Sequence, residues 1–245
     1  MSIWGKIIGG TAGFAIGGPL GAILGVMAGN VFDKSKFKKI NNLNLSNEQK
    51  QNIFALSVII LSAKIAKSDG VVTKDEIVAF KEKFKIPSNE INNVSRVFNE
   101  AKKSTYGYEK IAEQIGILFS DNKILLEELL NNLFYIAEAD GNISNQELVF
   151  LKSVSIYFNL NENEFNRIYE SRINNKSTDP YKVLGVSRED TDEVIRNKWI
   201  KLNKEHHPDY LLSKGMPKEF IDEANRELSL INSSYDKIKK NRDLN

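Results

Sequence analysis

The groups most able to do chemistry stand together at His206, His207, Pro208 and Asp209, a tetrad that holds both histidines of the 245-residue chain. Imidazole changes protonation near neutral pH and so offers a proton donor or acceptor there. An ionised aspartate accepts a charge-assisted hydrogen bond from an arginine. A metal centre or a general base would use the same residue types. Either would need a second ligand cluster, a nucleophile beside a positioned base, or an H-E-x-x-H helix. The sequence offers none of these, and no glycine loop stands between a strand and a helix to hold a phosphate. No catalytic residue, metal or cofactor is therefore expected, and the tetrad reads as a protruding loop that touches another protein. Pro208 fixes its own backbone and drives His207 out of the helical region, so the tip is shaped before a partner arrives.

The flanking patterns are helical. Asp179 can cap a short helix that has Pro180 at its first position and Gly185 at its end. A second helix is predicted from about Thr191 to His206, with Ile195, Trp199 and Leu202 as its buried stripe. Arg196, Lys198, Lys201 and Lys204 leave basic charge on its open surfaces. A third helix follows Gly215 and Met216, with Pro217 near its start. Ile221, Ala224, Leu228, Ile231, Tyr235 and Ile238 recur there at gaps of three and four, a seam for antiparallel packing on the second helix. Residues 206–214 would then form the loop at the tip of a helical hairpin.

Upstream, residues 49–171 are helical in pattern and show no convincing alternating strand. Ile53, Leu56, Ile60 and Ala63 mark one buried stripe; Ile111, Ile115 and Leu118 mark another. Residues 66–76 match residues 137–147 at an offset of 71, sharing Asp-Gly-x-(Val/Ile)-(Thr/Ser)-x-x-Glu. Gly70 and Gly141 can end one helix in left-handed backbone. Thr73 with Glu76, and Ser144 with Glu147, form capping boxes that begin the next. Val72 and Ile143 can pin these turns to the core. The same spacing resembles the second half of a calcium loop. Its first ligand positions hold Ile65 and Lys67, or Ile136 and Glu138, so a helix cap is the better reading and no metal site is expected.

The amino-terminal part has a different composition. No charged residue falls from Ile7 to Phe32, a stretch of 26 residues. As a helix that is roughly 39 Å, against a hydrocarbon core of about 30 Å. Glycine recurs at Gly5, Gly9, Gly13, Gly17, Gly21, Gly25 and Gly29. In water each glycine would cost a helix about 1 kcal/mol relative to alanine; in lipid the backbone must bond internally and the helix survives. A ridge of small residues lets a second helix approach closely, so Gly9, Gly13, Gly17, Gly21 and Gly25 are the expected homodimer contact. Lys34, Lys36, Lys38 and Lys39 follow the run and favour a cytoplasmic location for what comes next. A single pass with the amino terminus in the periplasm is expected. A cleaved signal peptide and a re-entrant hairpin broken at Gly17-Gly18-Pro19 are the alternatives.

The net charge of +2 argues against a nucleic-acid partner, and the absence of cysteine removes disulfide and thiolate chemistry. The fold class expected is all-α. Residues 1–32 form a glycine-rich transmembrane anchor and 33–46 a basic juxtamembrane linker. Residues 47–170 form a helical domain, 171–178 a polar linker, and 179–245 the helical hairpin.

Two resemblances sharpen this outline. Residues 47–170, through their paired acidic turns, resemble the TerB-like domain of tellurite-resistance proteins. Residues 178–240 resemble a J-domain. The matching pieces are Asp179-Pro180-Tyr181-x-Val183-Leu184-Gly185-Val186, Trp199-x-x-Leu202, His207-Pro208-Asp209 and Ile231-x-x-x-Tyr235. The whole order is similar to the DjlA family of membrane-anchored co-chaperones, including Trp4-Gly5-Lys6-Ile7-Ile8-Gly9, Phe32-Asp33-Lys34, Glu205-His206-His207-Pro208-Asp209 and Lys214-Gly215-Met216-Pro217. Ile200 stands where that family usually has a basic residue, Lys198 where alanine is usual, and Tyr210 where a basic residue is common. The resemblance implies a bacterial inner-membrane protein with a DnaK-type partner, whose ATP hydrolysis it stimulates. His207, Pro208 and Asp209 would engage that partner near its interdomain linker, while Arg196, Lys201 and Lys204 hold an acidic surface. A membrane-tethered stress sensor or scaffold, led by a metal-responsive TerB-like domain, is the alternative function.

Overall fold

The structure, a computed structural model, describes residues 2–6, 21, 45–66, 80–103, 107–138, 143–173 and 178–242. All regular elements among them are helical. Helix α1 spans Ile3–Lys6, α2 Asn47–Ile65, α3 Ile91–Lys103 and α4 Tyr108–Leu118. Helix α5 spans Lys123–Ala137, α6 Asn145–Tyr157 and α7 Glu162–Ile173. The carboxy-terminal part contributes α8 (Pro180–Leu184), α9 (Asp192–Glu205), α10 (Pro208–Lys214), a 3-10 turn (Lys218–Phe220) and α11 (Ile221–Asn241).

Helix α2 is the central post. Ser46 and Gln49 close a capping box at its start, and every residue from Ile53 to Ile65 is buried. A helix apolar on all sides must be surrounded, and α3, α4 and α5 pack on it. Ser144 and Glu147 form the expected capping box of α6, and Ile143 packs against the core. The partner box at Thr73 and Glu76, with Val72, Gly70 and Gly141, lies outside the described residues. Where α4 meets α6, Gly116 abuts the backbone carbonyl of Tyr157, leaving no room for a Cβ. Helix α7 runs on through Ile173, so Ser171 and Arg172 are helical and buried rather than part of a polar connection.

The carboxy-terminal hairpin has its own core of Tyr181, Leu184, Ile195, Leu202, Ile231, Tyr235 and Ile238. Trp199 stacks on Tyr235 with ring centroids 4.3 Å apart, and its Nε1 donates to Asn232 at 2.8 Å. Asp179 caps α8, and Gly185 ends it at φ 66°. Arg242 ties the far end together, donating to the Tyr181 hydroxyl, the Asp192 carboxylate and two backbone carbonyls.

The expected seam of α11 divides between two neighbours. Ile231, Tyr235 and Ile238 face the hairpin. Ala224, Leu211, Met216 and Phe220 are buried in the core of the preceding helical domain, with Ile221 packed against it. Phe220 sits in an aromatic cluster, 5.1 Å from Phe54, 4.9 Å from Phe84 and 5.6 Å from Trp4 between ring centroids. Helix α1 completes that cluster: Trp4 is fully buried, Ile3 N–H donates to Glu219 at 2.9 Å, and Lys6 pairs with Glu48 at 2.8 Å. No helix among the described residues is long and apolar enough to cross a membrane. The run from Ile7 to Phe32 lies outside them except for Gly21, as do the dimer candidates Gly9, Gly13, Gly17 and Gly25.

Candidate partner-docking tip

Helix α9 begins at the Thr191 cap and ends at His206, whose N–H reaches Leu202 O at 2.9 Å. The chain then turns at His207, in extended backbone at φ −66° and ψ 132°. This is the conformation that a following proline imposes. Pro208 does not lead into an irregular loop, as expected, but occupies the first turn of α10, where its missing N–H has no helical partner to lose. The Nδ1 of His207 accepts the Asp209 N–H at 3.2 Å and so caps the new helix. The His207 side chain is 54% exposed and that of Asp209 88%, so both can meet another molecule. Pro208 is half-buried between them.

Arg196, Lys201 and Lys204 are exposed along α9. Lys201 lies 3.8 Å from Glu205, a loose contact between side chains open to water. Ile200 is four residues from both Arg196 and Lys204 and is 45% exposed, placing an apolar spot between two cations. The two other departures from the family pattern are less exposed. Tyr210 packs against the core of the helical domain, and Lys198 is half-buried. Burial, and secondarily the Arg167 cation, lower the Lys198 pKa.

Against the sequence expectation, His206 is not part of the exposed tip. It does not protrude with its neighbours but is 1% exposed. Its Nδ1 lies 2.7 Å from Oε1 of Glu128 on α5, and its Nε2 lies 3.3 Å from Nη2 of Arg167 on α7. Arginine can only donate, so Nε2 accepts and Nδ1–H donates to Glu128, which requires a neutral imidazole. Burial, reinforced by the Arg167 cation, pulls the His206 pKa down to about 4. Burial pushes the Glu128 carboxyl up to about 7 against the opposing pull of Arg167.

A buried ion network surrounds this pair. Arg167 binds Glu227 at 2.6 Å and Glu127 at 2.7 Å. Arg172 grips Asn131 Oδ1 at 2.6 and 2.9 Å, contacts Glu138 at 3.1 Å, and pairs with Glu223. Glu223 and Glu227 are one turn apart on α11, and α7 presents the arginines to them. Sequence periodicity passed over these acids because they lie beside the apolar seam. Their spacing of four, matched to two arginines on one upstream helix, was the available signal. No group of three or more metal-binding side chains is found among the described residues.

A short capped helix, a long basic helix ending at an exposed His-Pro-Asp, and an antiparallel return helix define a J-domain, here seated on an all-α domain. Residues 179–242 match the DnaJ domain, residues 55–170 the family described as tellurite resistance protein TerB, and residues 1–50 the transmembrane domain of co-chaperone DjlA. In domain content and order the chain resembles the DjlA type of membrane-anchored, DnaJ-like co-chaperones. The co-chaperone protein DjlA of Coxiella burnetii is 26% identical over the whole of both chains. That of Photobacterium profundum is 26% identical over 97% of this chain and 98% of its own, and that of Legionella pneumophila 25% over 96% and 94%. No solved structure matches the chain.

Proposed function

We propose that the chain stimulates ATP hydrolysis by a DnaK-type chaperone and directs it to clients beside the bacterial inner membrane. The observation that carries this reading is a preset tip: His207 and Asp209 stand exposed on either side of Pro208, at the end of the basic helix. Arg196, Lys201 and Lys204 form a cationic surface beside the tip that suits an acidic partner, raising encounter rate in a salt-sensitive way. His207, Pro208 and Asp209 then act at the docked partner, and Asp209 supplies an acceptor for one of its arginines. The ATP and its chemistry belong to the partner, and this chain acts as its regulator. The test is the ATPase rate of a purified DnaK-type chaperone with and without the full chain. Stimulation that disappears with His207→Gln supports the reading; hydrolysis by this chain alone would overturn it.

The tether reading is a single pass through Ile7–Phe32 with the amino terminus in the periplasm and the folded domains in the cytoplasm. Gly9, Gly13, Gly17, Gly21 and Gly25 would pair two copies within the bilayer. One observation favours a second topology. Trp4 packs against Phe80, Phe84 and Phe220 of the folded body, and a single pass beginning at Ile7 would put these groups on opposite sides of the membrane. The re-entrant hairpin broken at Gly17-Gly18-Pro19 keeps them together; the single pass requires α1 to leave its seat.

A further inference from the structure

The exposed tip is only three residues long, and the residues on both sides of it are anchored in the TerB-like domain. Before it, His206 is held by Glu128 and Arg167. After it, Leu211 is fully buried in that domain's core. The Asn122 side chain donates to Lys214 O at 3.0 Å, and Gly215, at φ 105°, sits against Lys50. The helical hairpin alone therefore does not fix the tip. Its direction is set by α2, α5 and α7, elements of a different domain.

We propose that the TerB-like domain is the positioning platform of the His207-Pro208-Asp209 tip, with His206 and Glu128 as the positioning residues that couple the two domains. This rests on the reading that the tip stimulates a DnaK-type ATPase. The coupling is directional. Nδ1–H of His206 points at Glu128 and its Nε2 receives Arg167, so the ring is fixed from two sides. His207 follows immediately, and its extended backbone leaves little slack between the anchored ring and the exposed imidazole. A tip displaced by about 1 Å loses productive geometry while the basic surface still docks. A disturbance of α5 or α7 is thus transmitted to the tip without touching any partner-contacting residue.

The experiment is a titration of a DnaK-type chaperone with the full chain, reading maximal ATPase stimulation separately from the half-saturating concentration. His206→Ala is expected to lower the maximum by about ten-fold while leaving half-saturation within about two-fold. Glu128→Leu, which keeps the imidazole but removes the acceptor of its Nδ1–H and fills the buried site with an apolar side chain, is the second variant, should His206→Ala unfold. It is expected to give the same loss, and the double variant no further loss. Glu128→Gln keeps a carbonyl for Nδ1–H and is expected to restore the maximum. Unaltered maxima in the folded His206→Ala and Glu128→Leu proteins would overturn the proposal, as would a loss confined to half-saturation or a failure of Glu128→Gln to rescue. If the wild-type chain stimulates nothing, the co-chaperone reading fails first; if it stimulates and only the His206 and Glu128 variants behave as wild type, this inference alone fails.

Discussion

His206 Nδ1 lies 2.7 Å from Glu128 Oε1, across 78 residues of sequence, with both side chains buried. The histidine belongs to the J-domain and the glutamate to the TerB-like domain. Their contact joins the two units through an uncharged imidazole with its donor and acceptor both used. Nearby charge is balanced elsewhere, by Arg167 with Glu127 and Glu227 and by Arg172 with Glu138 and Glu223. Removing one partner from such a network costs more than the net worth of the intact pair.

The pair gives stability a specific pH dependence. Glu128 is raised from 4.5 to about 7, so between those values the folded state binds more protons than the unfolded state, and stability falls as pH rises. His206 is lowered from 6.5 to about 4, so the folded state binds fewer protons and stability rises with pH. The two slopes oppose each other where the windows overlap. Arg167, Glu227, Glu127 and Glu205 surround the histidine, and Arg167, Arg172 and Glu223 the glutamate. Denaturant melts are expected to show stability rising through pH 4 to 6.5 in Glu128→Gln, by up to about 1.4 kcal/mol per pH unit, and falling through pH 4.5 to 7 in His206→Gln. The same slope in both variants would contradict the assigned protonation states.

Core and tip substitutions should separate cleanly. Ile231 is fully buried in the hairpin, so Ile231→Ala is expected to destabilise the protein by about 2–5 kcal/mol. Asp209 is almost fully exposed, so Asp209→Asn should change stability by less than about 0.5 kcal/mol while reducing stimulation of the partner. Thermal melts of the two variants check both statements; a large loss for Asp209→Asn would give that side chain a structural role.

Charge on α9 should govern association rather than the stimulated rate. Replacing Arg196, Lys201 and Lys204 together with alanine is expected to raise the half-saturating concentration, with the maximum retained. Raising ionic strength from about 0.05 to about 0.2 M should weaken wild-type docking more than that of the triple variant. Equal salt sensitivity would remove these residues from the docking surface.

Because the chain has no cysteine, Ser2→Cys provides a single thiol at the amino terminus. The single-pass arrangement predicts its modification by a membrane-impermeant maleimide applied to intact spheroplasts. Protection there, with modification after lysis, would support the hairpin and the seat of Trp4 against Phe220.

Local rules made much of this legible in the sequence. Capping residues placed the start of α6 at Ser144, of α8 at Asp179 and of α9 at Thr191, because caps act within one helical turn. Periodicity found Ile195, Leu202, Ile231 and Tyr235, which pack within one hairpin. It misassigned Ala224 because an apolar stripe records that a face is buried, not what buries it. His206 escapes for a different reason: adjacency in sequence to His207 and Pro208 hides a reversal of direction at a helix end. The docking of Phe220, Glu223 and Glu227 depends on partners more than 50 residues away, beyond the reach of any local pattern.

The most direct measurement is the steady-state ATPase rate of a purified DnaK-type chaperone in the presence of the full chain, wild type against His207→Gln. The full chain is the proper reagent, because excision of the J-domain would expose Leu211, Met216, Phe220 and Ala224. The expected result is stimulation by the wild type and none by the folded variant. Equal stimulation by both, with matching melting curves, would contradict the claim that the exposed His-Pro-Asp tip acts on the partner.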